Sequence, residues 1–588
     1  MPIDFLDHLS PTPAAYQAAA RRLLAEPPAG LQPLRVAIAA SFTADPLGKY
    51  LAVEGARRGF AIEPSFTPYS QFELQCLDPA SALFAGRPDV AVLATRLEEL
   101  VPALWQNYGA LDEPARRQIA LEACERVARM AAALRQHGTA QVLVFNFTEP
   151  VRASGEPGRG RAHLVEIANS RLEQIAHEHS GVVIFDFARF ALEIGLRQMF
   201  DARLDAVSRM PFGVAAQIAL AGRLARSIRA LRVPPLKCLV LDLDDTLWGG
   251  ILGEVGPGGI ALGNDYPGRA FADFQRAVRD LRHRGILLAI ASKNNPPDVC
   301  EVFERHPDMV LRWHDFAAAQ IHWEDKAASL AAIAAELRIG IDSLAFYDDS
   351  PVEREWIRSR LPEVAVIEVP EDPLQRIAAL DEFEGFDQVF VSEEDRRRGT
   401  LYQHDRERER VRAQSASLDE FLAQLQIRAT VGLVNAETLP RVAQLIHKTN
   451  QFNLTGRRHS EGELRRQLDE GAIACWLRAS DRFGDYGVVG AAVAVPERPH
   501  AWRIDNFLLS CRILGRQVET ALLAALARRV AESGGDELIG EYLPTPKNAP
   551  ACDFYPRHGF APEGGRWVWR FSRGCILAPD HIALEEAR

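Results

Sequence analysis

The apolar run CLVLDL (238–243) carries Asp242 and runs straight into Asp244, Asp245 and Thr246. A short aliphatic run without polar alternation is the pattern of a strand buried on both faces. The carboxylates therefore emerge at its carboxyl end, where open α/β sheets bind ligands. Asp242 and Asp244 are two residues apart and share one side of the extended chain, a pairing suited to nucleophilic and acid–base work. Later segments supply partners. ILLAIAS ends a second strand at Ser292, Lys326 opens a helix in IHWEDKAAS, and LAFYDDS delivers Asp348 and Asp349 after a third strand. The ammonium can offset negative charge, and the aspartates complete a shell of hard oxygen donors of the kind that holds magnesium. A lone Asp-x-Asp is ordinarily a solvated turn; four ordered segments at strand ends and a helix start argue for a built site.

The set resembles the haloacid-dehalogenase (HAD) phosphotransferases, whose DxDx[TV] motif is matched by DLDDT (242–246). The resemblance implies that Asp242 is the phosphate-accepting nucleophile and Asp244 the general acid/base. It places Thr246 and Ser292 at the phosphate, Lys326 as counter-charge, and Asp242, the Asp244 carbonyl, Asp348 and Asp349 around magnesium. The intervals Asp244–Ser292 and Ser292–Lys326 are too short for a large cap domain. The expected substrate is a bulky or protein-tethered phosphate, or else another domain serves as cover.

Toward the carboxyl terminus, the strand RIDNFLLS (503–510), a loop, the helix GRQVETALLAALARRVAESG and the strand ELIGEYLP follow one another. This order resembles the GNAT acyltransferase fold, in which the loop and helix amino terminus cradle the phosphate of a pantetheine carrier. The resemblance places Arg512, Gly515 and Arg516 at the carrier's arm. Gln517 stands where a small residue is usual, which favours the single phosphate of a carrier-borne phosphopantetheine over a coenzyme A diphosphate. Cys511, at a strand end beside Arg512, has surroundings that favour thiolate; from the residues alone it reads equally as a buried small side chain.

DLDDTLWGG (242–250), KTNQFNLT (448–455), SCRILGR (510–516) and FYPRHGF (554–560) together resemble the FkbH-like proteins of polyketide pathways, over essentially the whole chain. The resemblance implies an enzyme that takes the glyceryl unit of 1,3-bisphosphoglycerate, removes its phosphates and loads glyceryl onto an acyl carrier protein through Cys511. Asn450 and Asn453, with Thr449 and Gln451, are expected to hydrogen-bond glyceryl hydroxyls, the kind of contact that rejects analogues lacking them. His447, His459 and His558 are expected at the surface or in packing. Two rival readings stay open: a HAD phosphatase with a docking carboxyl-terminal domain, and a GNAT-type acyltransferase with a vestigial phosphatase.

The elements that must position these residues form an α/β multidomain chain. At 588 residues it exceeds one hydrophobic core and should divide at about 150 residues per domain. The expected divisions are an SGNH-hydrolase-like α/β domain (1–232), a capless HAD-like Rossmannoid domain (233–375), a charged helical linker (376–425) and a GNAT-like α+β domain (426–588). In the first, Ser41, Asn146, Asp201 and Asp205 follow the order seen in SGNH hydrolases, which the segment resembles. The late histidine of that group is missing, so Ser41 lacks its usual base, and docking or binding is expected rather than hydrolysis. The segment EEDRRRGTLYQHDRERERVRAQ interleaves acids with bases and reads as a solvated connecting helix. A net charge of −11 argues against a nucleic-acid partner. No leader-like start, membrane-length apolar run or paired cysteine motif among the eight cysteines appears, so a cytoplasmic enzyme is expected.

Overall fold

The computed structural model describes residues 4–6, 9–26, 28–138, 141–149, 160–179, 181–389, 408, 411–412, 415, 417–449, 451–510, 513–545 and 547–587. The chain divides into two compact units, Met1–Val233 and Pro234–Arg588.

In the first unit, β1 (Gln32–Ala40), β2 (Phe60–Phe66), β3 (Val90–Ala94), β4 (Gln141–Phe145) and β5 (Val182–Phe185) form one sheet. Its order is β2-β1-β3-β4-β5, and every pair is parallel. Parallel neighbours need crossovers, and helices supply them. The longest, Glu113–His137, starts where Asp112 accepts a bond from the Ala115 amide. Its Ala123, Val127, Ala131 and Leu134 pack with Val142 and Val144 of β4. Because β1 hands on to β2 at one side and the chain then returns to β3 on the other, a crevice opens at the carboxyl ends of β1 and β3.

The second unit begins with another parallel sheet. Here β6 (Cys238–Leu241), β7 (Leu287–Ser292), β8 (Phe316–Ile321), β9 (Leu344–Tyr347) and β10 (Ala365–Val366) lie in the order β10-β9-β6-β7-β8. The register sets Leu241 level with Tyr347 on one side and Ile290 on the other. Thus Asp242, Asp348 and Ser292 leave three adjacent strand ends together. Between Asp242 and Leu287 lie a short helix (Leu252–Val255), a bridge from Gly249 to Ala261 and the helix Gly268–His283. Trp248, fully buried, anchors this insertion. It forms no separate cap domain.

Parts of the stretch 376–425, expected as a solvated linker, are buried in packed cores. Helix Arg376–Glu382 and the turn Glu384–Phe386 place Leu380 and Phe386 in the same core as Leu239, Phe271 and Phe274. Gly385 accepts a bond from the Leu236 amide. Arg408 is 1% exposed; its Nε and Nη2 donate to Asp481 at 2.7 and 2.8 Å. Helix Leu418–Leu425 buries Phe421, Leu422 and Leu425 in the carboxyl-terminal core. Alternating charge resembles a solvated face, yet this arginine has a buried carboxylate awaiting it far along the chain.

That last body is a mixed, nine-stranded sheet. β11 (Ile427–Leu433), β13 (Ile473–Asp481), β14 (Gly484–Arg498) and β15 (Ala501–Leu509) are successive antiparallel neighbours, and β12 (Phe452–Asn453) pairs with the end of β15. Helix Val518–Glu532 crosses from β15 to the parallel β16 (Glu537–Gly540). β17 (Ala561–Glu563), β18 (Arg566–Arg570) and β19 (Ile582–Glu586) complete it. The architecture is α/β and multidomain, with α+β construction in this final body. Among the described residues, no helix is long and apolar enough to cross a membrane.

Candidate active site

At the strand ends of β6, β7 and β9, Asp242, Asp348 and Asp349 bring one carboxylate oxygen each within 4.8 Å of one another. Lys326, first residue of the helix Lys326–Glu336, reaches into them. Its Nζ lies 3.1 Å from Asp242 Oδ2 and donates to Asp348 Oδ2 at 2.5 Å. Burial works against the ammonium, but Asp242 and Asp348 outweigh it and raise its pKa. Burial and the facing Asp242 raise the carboxyl of Asp348, and burial followed by Asp242 and Asp245 raises that of Asp349. One ammonium does not balance three carboxylates in such a space, and the buried Oδ1 of Asp242 has no hydrogen-bond partner. A hard divalent cation fits this donor set.

Asp244 is held apart from that cluster. Its Oδ1 accepts from Trp248 Nε1 at 2.9 Å and the Leu252 amide at 3.1 Å, and its Oδ2 accepts from Asn294 Nδ2 at 2.9 Å. Burial raises its pKa despite these bonds, which favours a carboxyl able to carry and return a proton. Asn294 and Trp248 escaped the sequence reading. Asn294 stands two residues beyond Ser292, the same spacing that joins Asp244 to Asp242, so the signal was present. Arg354 and Arg376 were also missed: Arg354 Nη1 donates to the carbonyls of Asp348 and Asp349 at 2.8 and 2.7 Å, and Arg376 Nη1 to that of Asp245 at 2.6 Å. Both brace the backbone that presents the carboxylates.

Two expected phosphate contacts behave differently. Ser292 ends β7, the strand adjacent to β6, and is 4% exposed. Thr246 is wholly buried, and its Oγ1 donates to Asp349 Oδ1 at 3.3 Å. It orients a carboxylate rather than facing a phosphate. An open groove of about 800 Å³ adjoins the site, lined by Lys293, Asp325, Val352, Trp356 and Ser359. Lys293 and Asp325 directly neighbour Ser292 and Lys326 in the chain.

Of the carboxyl-terminal candidates, Cys511, Arg512 and Asn450 lie outside the described residues. Gly515 has φ +76°, a left-handed conformation suited to glycine. Arg516, expected at a carrier phosphate, is instead 4% exposed with its guanidinium 4.9 Å from the Tyr486 ring centre. Stacking on an aromatic face takes it into the interior. Asn453 is 1% exposed; its Oδ1 accepts from the Thr455 and Gly456 amides, while its buried Nδ2 has no partner. His459 is not a simple packing histidine: its Nε2 lies 2.6 Å from Asp505 Oδ2. Burial opposes the Asp505 carboxylate, but bonds from His459 and Arg503 hold its pKa well below the usual range. Burial pushes the thiols of Cys76, Cys124 and Cys475 up to about 12.

In the first unit, Asp205 lies 3.6 Å from Arg96, whose amide donates to Ser41 Oγ. Asn146 Nδ2 donates to Asp186 at 2.8 Å, and Asp201 accepts from the Arg203 and Leu204 amides at a helix start. Ser41, however, has a carboxylate partner that the sequence did not reveal: its Oγ donates to Glu99 Oε2 at 2.5 Å.

Parts of the chain are similar to known proteins. Residues 35–225 match the family FkbH, N-terminal domain. The N-terminal part of the protein BF1531 from Bacteroides fragilis, described as containing a phosphatase domain complexed with Mg, is 28% identical; the match covers 63% of this chain and 99% of that one, with a TM-score of 0.55. A putative acetyltransferase of the GNAT family from Desulfovibrio desulfuricans aligns with 24% of this chain and 98% of its own, at 19% identity and a TM-score of 0.20. A GNAT-family acetyltransferase from Staphylococcus aureus Mu50 aligns over the same shares, at 11% identity and a TM-score of 0.20. No curated protein matches. The chain is thus similar to FkbH proteins over residues 35–225 and to a HAD-type phosphatase structure over 63% of its length.

Proposed function

We propose that this protein is a bifunctional glyceryl transferase and magnesium-dependent phosphatase, which takes 1,3-bisphosphoglycerate, removes its phosphates and loads glyceryl onto the phosphopantetheine arm of an acyl carrier protein. The observation that carries the phosphatase half is the buried Lys326 bridging Asp242 and Asp348, beside an Asp244 whose carboxyl is held separately by Trp248 and Asn294. A free Asp242 oxygen attacks phosphorus, and the bond from phosphorus to the ester oxygen breaks. Asp244 gives its proton to the departing oxygen, then takes one from the water that hydrolyses the aspartyl phosphate. Lys326 offsets the charge of nucleophile and phosphoryl group. Magnesium, held by Asp242, Asp348, Asp349 and the Asp244 carbonyl, supplies further positive charge at the phosphoryl oxygens when bound. The Bacteroides phosphatase domain was crystallised with that ion, which supports the assignment.

The transferase half rests on Cys511 and the FkbH-like motifs. The thiolate attacks the acyl carbon of the acyl phosphate, the carbon–oxygen bond to phosphate breaks, and a phosphoglyceryl thioester forms. Dephosphorylation and exchange to the carrier's thiol follow, with Arg512 and Gly515 near the arm. The lack of a cap domain and the open groove beside Lys293 and Trp356 suit a phosphate hanging from a protein.

A second reading draws support from Arg516, which is stacked on Tyr486 rather than displayed: a phosphatase whose carboxyl-terminal body only docks a partner. Incubation with 1,3-bisphosphoglycerate and carrier, with magnesium or with excess chelator, separates the two. The bifunctional reading gives phosphate release and a glyceryl carrier in the magnesium arm. Release without an acylated cysteine or carrier would favour docking.

A further inference from the structure

The crevice at the carboxyl ends of β1 and β3 holds chemistry that the phosphatase does not use. Ser41 follows β1, is 7% exposed, donates to Glu99 and accepts from the Arg96 amide at 3.0 Å. The Arg96 guanidinium meets Glu99 at 3.1 Å, Glu98 at 3.3 Å and Asp205 at 3.6 Å, all through its Nη atoms. These groups surround the Glu99 carboxylate, which keeps 24% of its side-chain surface. The Arg96 Nε–H is buried without a partner, and so is the neighbouring Thr95 hydroxyl. A purely structural Ser–Glu–Arg cluster would account for the satisfied bonds, but not for two unpaired polar groups beside a hydroxyl at the sheet's switch point, the usual ligand position of such sheets.

We propose that Ser41 is a nucleophile activated by Glu99, and that the first unit cleaves a small carboxylic ester or thioester. Ser41 Oγ bonds to the acyl carbon while its proton passes to Glu99. The bond to the alcohol or thiol breaks, and Glu99 returns the proton to that leaving group. Water then attacks the acyl-serine, giving one proton to Glu99, which restores it to Ser41 as the free acid departs. The Arg96 Nε–H, buried without a partner in the same cluster, would serve as a donor to the carbonyl oxygen once the side chain turns toward the developing negative charge. Burial raises the Glu99 carboxyl to about 7 against the pull of Arg96 and Ser41, which suits an acid–base group working near neutrality. A carboxylate thus takes the place of the missing histidine.

The test is a fluorophosphonate probe on the full chain, read by peptide mass spectrometry, alongside hydrolysis of p-nitrophenyl acetate. The expected result is an adduct at Ser41, with both reactions slowed about 100-fold or more in Glu99→Gln and the circular dichroism spectrum unchanged. Absence of an adduct at Ser41 in the folded wild-type chain would overturn the proposal, as would wild-type labelling in Glu99→Gln or full ester hydrolysis in Ser41→Ala. Should Glu99→Gln not fold, labelling of the wild-type serine decides alone.

Discussion

The Nζ of Lys326 lies 3.1 Å from Oδ2 of Asp242, with side chains only 4% and 11% exposed. A charge pair so withdrawn from water persists because each member neutralises the other, and Asp348 ties the same ammonium from its far side. Removing the lysine leaves buried carboxylates uncompensated. Lys326→Met should therefore cost about 3–5 kcal/mol of stability in the metal-free chain and lower phosphatase kcat/KM by about 100- to 1000-fold. Denaturant melts and phosphate-release kinetics measure both; wild-type turnover in this variant would show that the ammonium does not serve the reaction.

Asn294 offers a subtler probe, since it touches the acid rather than the nucleophile. Its amide stabilises the ionised form of Asp244, so its loss raises the Asp244 pKa still further. The first step needs the protonated acid, and activity falls as pH rises through that pKa. Asn294→Leu should thus carry the alkaline limb of the phosphatase pH–rate profile to higher pH. A limb that stays put, or moves down, would separate Asn294 from the titrating group.

How much of this was legible beforehand depends on distance along the chain. The HAD site could be read because each strand announces itself by an apolar run and its functional residue sits at the run's end. Asn294 needed only the period of two already used for Asp242 and Asp244. Glu99 could not be read in the same way: its partner Ser41 follows β1 whereas Glu99 follows β3, and only the parallel pairing of those strands brings the two segments together. Arg408 failed for a related reason, because charge patterning is a local signal and its partner Asp481 is supplied by β13. The strand and helix runs followed from periodicity and the domain types from resemblance, whereas long-range polar pairing is set by tertiary packing.

That Arg408–Asp481 pair makes its own prediction. Burial opposes the Asp481 anion, but bonds from Arg408 and Tyr486 outweigh it and lower its pKa. A depressed carboxylate contributes stability that is fully present above its unfolded value of about 3.9 and is lost as pH falls through the folded value. Arg408→Leu should destabilise the carboxyl-terminal body by about 3–5 kcal/mol at neutral pH, and the deficit should narrow on acidification below about pH 4. Thermal melts across pH test this; an unchanged neutral melt would mean the stretch is the solvated linker its composition suggests.

If two chemistries on one chain act in sequence on one acyl unit, intact-mass spectrometry of Asp242→Asn after incubation with 1,3-bisphosphoglycerate and magnesium will show it most directly. The substitution removes the phosphate-accepting oxygen while nearly preserving shape, so acyl capture should proceed and dephosphorylation should stop. The expected product is a phosphoglyceryl adduct on the protein, mapped by peptide analysis to Cys511 and absent from Cys511→Ala. A dephosphorylated glyceryl adduct in the Asp242→Asn chain, an adduct at another cysteine, or no adduct at all would contradict it.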